Sequence, residues 1–355
     1  MLQANSQLNV NKLGIILDKT HLEFENAGVL NPACIKEQDK VHVFYRAVKQ
    51  GNYSTIGYAQ LDGPTKVAFR MEKPLIEADA DYESHGIEDP RIVKIDDLYY
   101  LTYTAYDGIN ALGCLAVSKD LKHFEKKGVI VPQVTYDTFV DLTQPKGLLK
   151  NKYYRFNQHE NVPEKDRDKM LLWDKNVVFF PRRINGDLAF IHRIKPGIQI
   201  VTGVREIEEL TPGFWEAYLK NLDENILLEP KFPHERNYIG GGCPPIETEH
   251  GWLMVYHGVH ESLNGYVYCA CVSLLDLENP RKEIARLPYG LFQPDQDWEL
   301  TGYVHNVCFP SGAAVFDDTL YIYYGAADER IACASLDMNA LLNELLQNKI
   351  QTHEN

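Results

Sequence analysis

Short apolar runs broken by polar turns recur along the chain, and their order repeats. Five segments share it: a proline, an apolar stretch, a polar turn, then a second apolar stretch that closes on a ring. They are NPACIKEQDKVHVFYRA from Asn31, DPRIVKIDDLYYLTYTA from Asp89, FPRRINGDLAFIHRI from Phe180, PPIETEHGWLMVYHG from Pro244 and FPSGAAVFDDTLYIYYGA from Phe309. The closing rings, Tyr45, Tyr103, His192, Tyr256 and Tyr324, follow Pro32, Pro90, Pro181, Pro245 and Pro310 by 11 to 14 residues. The turns Glu37-Gln38-Asp39, Asp96-Asp97, Asn185-Gly186, His250-Gly251 and Asp317-Asp318 carry hairpin chemistry. A lone hairpin cannot bury its own apolar face, so five of them predict repeated units completed by outer strands. Such strands are legible in TIGYAQL, LGCLAVSKD and YVYCACVSLLDL. The residues just after the rings, Arg46, Thr104, Arg193, His257 and Gly325, are spaced 58, 89, 64 and 68 apart, which fits four-stranded blades and one insertion. The pattern predicts an all-β chain, a single five-bladed β-propeller domain over 1–355. Its repeats lie near 31–47, 89–105, 180–194, 244–258 and 309–326.

The insertion spans about 132–173 and holds the charged run NVPEKDRDKM, which reads as a solvated surface loop. Helices are few. Thr211 and Pro212 give TPGFWEAYLKNL an N-cap and a first-turn proline. Near the end, Met338, Leu341, Leu342, Leu345 and Leu346 fall on one stripe, predicting a short C-terminal helix over about 337–350 that docks and closes the chain.

The net charge of -14 argues against nucleic acid and against an anionic membrane surface as partners. An anionic small molecule stays open if a local basic cluster overrides that field. Cys34, Cys114, Cys243, Cys269, Cys271, Cys308 and Cys333 are odd in number, lack CxxC spacing and sit mostly in apolar runs. They read as reduced core thiols of a cytoplasmic protein, with Cys269 and Cys271 on one strand face. No basic region followed by an apolar run opens the chain, and no stretch is long enough to span a membrane. The 21 tyrosines suit strands, and they also supply the flat faces and hydroxyls that sugar sites use.

Positions that only packed would be alike in all five repeats. Those after the rings are instead polar and different, and so are Asn31, Asp89 and Lys175-Asn176 near the start of three units, which points to a site. The densest motif is Gly86-Ile87-Glu88-Asp89-Pro90-Arg91. Strand alternation sends Glu88 and Asp89 to opposite faces, so only one of them faces the axis fully. A carboxyl that donates a proton to a glycosidic oxygen needs a raised pKa, through burial or a neighbouring carboxylate. Lys175, Arg193 and His257, from different units, form a candidate cation cluster for phosphate. No zinc spacing, P-loop, GxGxxG or GxSxG is present, so neither a metal nor an organic cofactor is expected.

The chain resembles the mannoside phosphorylases of glycoside hydrolase family 130. The likeness is carried by Asn31-Pro32, FYRA, GIEDPR, YTAYDG, INGDLAFIHR, PPIETEHGWLMVYHG, LLDLENP, HNVCFPSG and YYGAAD, from about residue 25 to 340. It implies a five-bladed propeller and inverting chemistry on β-mannosides. It implies Asp89 as the acid, its proton relayed through the 3-hydroxyl of the bound mannose, and phosphate attacking the opposite face of the anomeric carbon to give α-mannose 1-phosphate. The matching sugar-contact positions are Asn31, Arg46, Arg91, Tyr103, Asp107 and Asp328, with Glu88 and Asn306 placed beside them. The phosphate positions are Lys175, Arg193, His257 and Tyr268. Inorganic phosphate is then a co-substrate, and a homo-oligomer is compatible with the sequence.

Two other functions compete. In an inverting mannosidase, Glu247, Glu261 or Glu160 would activate water from a carboxylate ~6.5–9.5 Å from the acid. A non-catalytic sugar-binding propeller would not need Asp89. Linkage and acceptor sugar are left open.

Overall fold

The computed structural model describes residues 8–157, 169–263 and 265–350. The first strand is β1 (Asn11–Leu17). It is followed by β2 (Gly28–Glu37), β3 (Lys40–Lys49), β4 (Tyr53–Asp62) and β5 (Lys66–Arg70), then β6 (Gly86–Ile95), β7 (Leu98–Tyr106), β8 (Ala111–Ser118) and β9 (Glu125–Val129). Next come β10 (Lys175–Phe179), β11 (Leu188–Arg193), β12 (Ile198–Val204) and β13 (Ile226–Leu228). The chain continues through β14 (Tyr238–Gly241), β15 (Ile246–Thr248), β16 (Gly251–Ser262), β17 (Gly265–Leu275) and β18 (Glu283–Arg286), and ends in β19 (Cys308–Phe316), β20 (Thr319–Ala326) and β21 (Arg330–Asp337).

Pairing divides these strands into five antiparallel sets: β2–β5, β6–β9, β10–β13, β14–β18 and β19–β21. The first strand completes the last set, because β1 pairs with β21. The first two sets touch through one parallel bridge, Ser54 to Gly86. The hairpin turns behave as their residues demand. Gln38, Asp96, Asn185 and Asp317 all have positive φ, the left-handed region that Asn and Asp tolerate better than most.

The rings that close the repeats have a common structural cause. Each ends the second strand of its set and bonds a carboxylate with no exposed surface. Tyr45 donates to Glu25 at 2.8 Å, Tyr103 to Glu83 at 2.7 Å, Tyr324 to Glu299 at 2.6 Å, and Tyr256 to Glu235. In the third set, His192 Nδ1 lies 2.6 Å from Asp174. Four of these acids also pair with a cation from the outermost strand of the same set: Arg70, Lys126, Arg286 and Lys12. The unit is a clamp that ties inner strand to outer strand. Removing one partner would strand a buried charge, which costs about 3–5 kcal/mol.

Aligning repeats on their prolines holds for the first two units only. By strand register, Leu30, Glu88, Lys175, Gly240 and Phe309 are equivalent, each facing the residue after a ring. Pro181 and Pro245 lie a few residues beyond the positions that match Pro32. The ring, not the proline, fixes the frame, since the ring carries the clamp.

The insertion is not simply a solvated loop. Helices α1 (Tyr136–Thr143) and α2 (Asn151–Phe156) form within it. Tyr136, Phe139, Leu149, Tyr153, Met170 and Leu172 are buried in a cluster shared with β10 and β11. Spacing of three between Tyr136 and Phe139 puts both on one helix face. Most of the charged run NVPEKDRDKM, and Glu160 before it, lie outside the described residues. Thr211 caps α3 (Pro212–Lys220) by accepting from Phe214 N. A short turn, α4 (Asp297–Leu300), carries Glu299, and α5 (Met338–Gln347) buries Met338, Leu341, Leu342 and Leu345. All seven cysteines are free and buried, with Cys269 and Cys271 Sγ 3.7 Å apart on β17. Among the described residues, no helix is long and apolar enough to cross a membrane.

Candidate active site

The inner strands of the first three sets each contain a bulge at their mouth, between Leu30 and Ala33, Glu88 and Arg91, and Lys175 and Val178. The bulged residues are Asn31 (φ 49°), Asp89 (φ 49°) and Asn176 (φ 57°). A bulge adds a residue, turns the strand and re-aims a side chain. Asn and Asp are the side-chain-bearing residues best able to adopt this backbone. Alternation therefore fails at this point: Glu88 and Asp89 both line the same cavity, against the expectation that only one would face it.

That cavity has a volume of about 220 Å³. Three acids, Glu88, Asp89 and Asp328, gather around Arg46. Its guanidinium lies 2.7 Å from Glu88 and 3.7 Å from Asp89. Asn31 Nδ2 donates to Asp89 at 2.7 Å. The Asn31 amide fits because residue 325 is glycine, where a Cβ would lie 2.1 Å from Asn31 Oδ1. The basic wall is Lys175, Arg193 and Lys195, backed by aromatic faces. Lys175 Nζ sits 5.5 Å from the Trp173 ring centre, and Lys195 Nζ sits 4.1 Å from that of Tyr238. Tyr268, Phe309 and Asn176 complete the lining. Tyr268 and Tyr238 join through their hydroxyls at 2.5 Å.

The charges set each other's protonation. Burial pushes the Asp89 carboxyl up, but Arg46, Lys175, the Asn31 hydrogen bond and Arg91 outweigh it and hold Asp89 below the usual carboxylate range. With the cavity free of ligand, Asp89 is ionised. The expectation of a raised pKa is thus reversed, because two cations stand beside the acid. Asp328 behaves oppositely: burial and the nearby charges of Asp89 and Glu88 lift it to about 6, against the pull of Arg46. Burial, with Arg193 and Lys175 close by, pushes Lys195 down to about 7.

Several expected residues stand elsewhere. His257 has no exposed surface and does not line the cavity. Its Nε2 lies 3.4 Å from Arg193 Nη1 and its ring centre 4.5 Å from that of Phe309. Burial, then Arg193 and Arg91, hold its pKa well below the usual value, so it is a neutral support for Arg193 and not a third cation. Arg91 is buried beneath the site and donates to the backbone carbonyls of Asp89, Pro90, Gly241 and Gly242. With that geometry it braces the bulge, and it does not reach the cavity. Tyr103 is held in its clamp with Glu83, inside a core cluster. Asp107 accepts from Ile109 N and Asn110 N at 2.8 and 2.6 Å. Asn110 in turn accepts from Leu171 N, and Trp173 donates to Ile109 O, so Asp107 organises the turn that holds Trp173. Asn306 meets Tyr268 through its backbone, accepting from Tyr268 N at 3.0 Å. Glu247 pairs with Arg182 at 3.0 Å, and neither it nor Glu261 lines the cavity.

Sequence reading passed over Trp173, Lys195, Tyr238 and Phe309. Lys195 carried a usable signal, since it lies two residues after Arg193 and so continues one strand face. Trp173 carried none, because its position depends on how the insertion folds.

A protein-family model described as β-1,4-mannooligosaccharide phosphorylase (Glyco_hydro_130) matches residues 15–347. A 1,2-β-oligomannan phosphorylase from Thermoanaerobacter sp. (strain X514) is 34% identical over 343 residues, covering 91% of this chain and 95% of that protein. A β-1,2-mannobiose phosphorylase from the same strain is 33% identical over 332 residues, covering 89% and 92%. Among solved structures, a β-1,2-mannobiose phosphorylase from Listeria innocua in complex with β-1,2-mannobiose superposes with a TM-score of 0.70 at 22% identity, covering 95% of this chain and 99% of that one.

Proposed function

The chain belongs to glycoside hydrolase family 130, and from that premise we propose that it is an inverting β-mannoside phosphorylase. The observation that carries the reading is the cavity's polarity: Asp89, Glu88 and Asp328 around Arg46 on one side, Lys175, Arg193 and Lys195 on the other. The acidic side suits a sugar ring, whose hydroxyls donate to carboxylates and accept from Arg46 and Asn31. The basic wall suits inorganic phosphate.

In this reading, phosphate occupies the wall formed by Lys175, Arg193, Lys195 and Tyr268. Its negative charge offsets the cations that keep Asp89 ionised, so Asp89 takes up a proton when phosphate binds. Asp89 then delivers that proton, relayed by the mannose 3-hydroxyl, to the glycosidic oxygen. The bond between that oxygen and the anomeric carbon breaks, and a phosphate oxygen forms the new bond from the opposite face. The products are α-mannose 1-phosphate and a sugar shortened by one mannose.

Hydrolysis fits less well. An inverting hydrolase needs a carboxylate placed to activate water across the ring from the acid. Among the described residues, the lining carboxylates are Glu88, Asp89 and Asp328, all clustered on Arg46. We also propose that the five strand sets are the blades of one propeller domain, closed by β1, and that the protein works in the reducing cytoplasm with its thiols unpaired.

The test is to incubate the protein with β-1,2- and β-1,4-linked manno-oligosaccharides, with and without inorganic phosphate. The β-1,2 series comes first because the two relatives matched over about nine-tenths of the chain carry that linkage in their names. Mannose 1-phosphate formed only with phosphate present is the expected result. Equal sugar release in phosphate-free buffer would overturn it.

A further inference from the structure

Beside the inner cavity lies a second, larger hollow of about 660 Å³. The two share Arg46 and Asp328 as a common wall, so the hollow opens directly off the reacting end of the site. One side is the β3–β4 turn with Gln50, Gly51 and Asn52. The other is the loop before β19, carrying Tyr303.

Both sides are pinned. Gln50 N donates to Asn26 Oδ1 at 3.1 Å, and Asn52 N to Lys49 O at 3.1 Å. Val304 N donates to Ala327 O at 3.1 Å, and His305 Nδ1 lies 3.1 Å from Leu300 O. The groove is therefore built into the structure between two braced edges. Tyr303 stands at its rim, 76% exposed and close enough to Arg46 for its phenol to act on that charge. An aromatic ring left in water beside amide side chains offers a flat apolar face together with hydrogen-bonding groups, the combination that a sugar's two faces require.

We propose that this groove holds the acceptor-side sugars of a manno-oligosaccharide, with Tyr303 as a stacking platform, so that the chain prefers trisaccharides and longer substrates to disaccharides. The inference rests on the phosphorylase reading of the inner cavity and extends it. The volumes support it. If about 220 Å³ accommodates one mannosyl ring with phosphate, a hollow three times larger has room for more than a single further sugar.

The experiment measures kcat/KM for phosphorolysis of β-1,2-linked di-, tri- and tetrasaccharides. Wild-type protein is compared with Tyr303→Ala and Tyr303→Phe. Calorimetric binding of the same series to Asp89→Asn runs in parallel. Wild type is expected to favour the trisaccharide over the disaccharide by about 10-fold, the equivalent of ~1.4 kcal/mol. Tyr303→Ala should bring that ratio close to one, mainly through KM, and Tyr303→Phe should keep it. A flat length profile in wild type overturns the inference, and so does a Tyr303→Ala loss that is equal at every length. Because binding to Asp89→Asn needs no turnover, length-dependent affinity without mannose 1-phosphate would remove the phosphorylase reading and leave the groove standing.

Discussion

Asn31 donates its side-chain amide to Asp89 Oδ1 at 2.7 Å, joining the bulged residues of two adjacent strand sets. The bond favours the ionised carboxylate and fixes which oxygen is free to meet a ligand. Asp89→Asn keeps the shape but cannot release a proton. It should lower turnover by roughly 10²–10⁴-fold while mannoside binding persists. Steady-state rates paired with calorimetry test this, and unchanged turnover would return the chain to a sugar-binding role.

The basic wall makes a graded prediction. Arg193 faces the cavity as a charge, whereas His257 supports it as a neutral ring. A hydrogen bond to a charged group contributes about 1.5–3 kcal/mol, so Arg193→Ala should raise the KM for phosphate about 10- to 100-fold. His257→Gln removes only a neutral contact and should raise it ~2- to 10-fold. Equal losses would show that His257 carries charge when phosphate is bound.

Tyr103 separates a structural role from a sugar contact. Its hydroxyl is spent on Glu83, which also pairs with Lys126. Tyr103→Phe should destabilise the protein by about 1–3 kcal/mol, since it leaves a buried carboxylate short of one donor. Its kcat/KM should stay within about twofold of wild type, because a buried ring remote from the lining cannot report on substrate. Denaturant melts and kinetics on one preparation decide between the roles. A large kcat/KM loss without loss of stability would restore the sugar-contact role.

Much of this was legible from the residues because the clamp leaves a mark in every unit. Five rings at comparable spacing located five second strands, and the residues beside them led to Arg46 and Arg193. Asp89 and Asn31 were found because bulges favour short polar side chains before proline. Other features were not legible, for physical reasons. The bulge overrides alternation, so no pattern of period two could place Glu88 and Asp89 in one cavity. The charge on His257 depends on complete burial, which sequence does not give. Trp173 reaches the wall only because the insertion packs against β10 and β11, and its apolar residues were outweighed by the adjacent charged run.

Lys195 adds a pH dependence that its sequence neighbours do not suggest. Burial, with Arg193 and Lys175 nearby, brings its pKa down to about 7. Below that pH it is a cation on the phosphate wall, and as pH rises through about 7 it becomes neutral. A depressed pKa on a base means that the charged form is the one disfavoured, so a bound anion restores it and phosphate binding takes up a proton. The KM for phosphate should therefore rise between about pH 6.5 and 8.5 as the lysine discharges. Phosphate itself also gains charge over much of this window, which is why the comparison must be internal. Lys195→Met keeps the aliphatic packing over Tyr238 and removes the titration. It should raise the KM for phosphate about 10-fold at pH 6.5 and progressively less towards pH 8.5, flattening the ratio of variant to wild type to near one. A ratio independent of pH would show that Lys195 keeps its charge throughout or makes no contact with the anion.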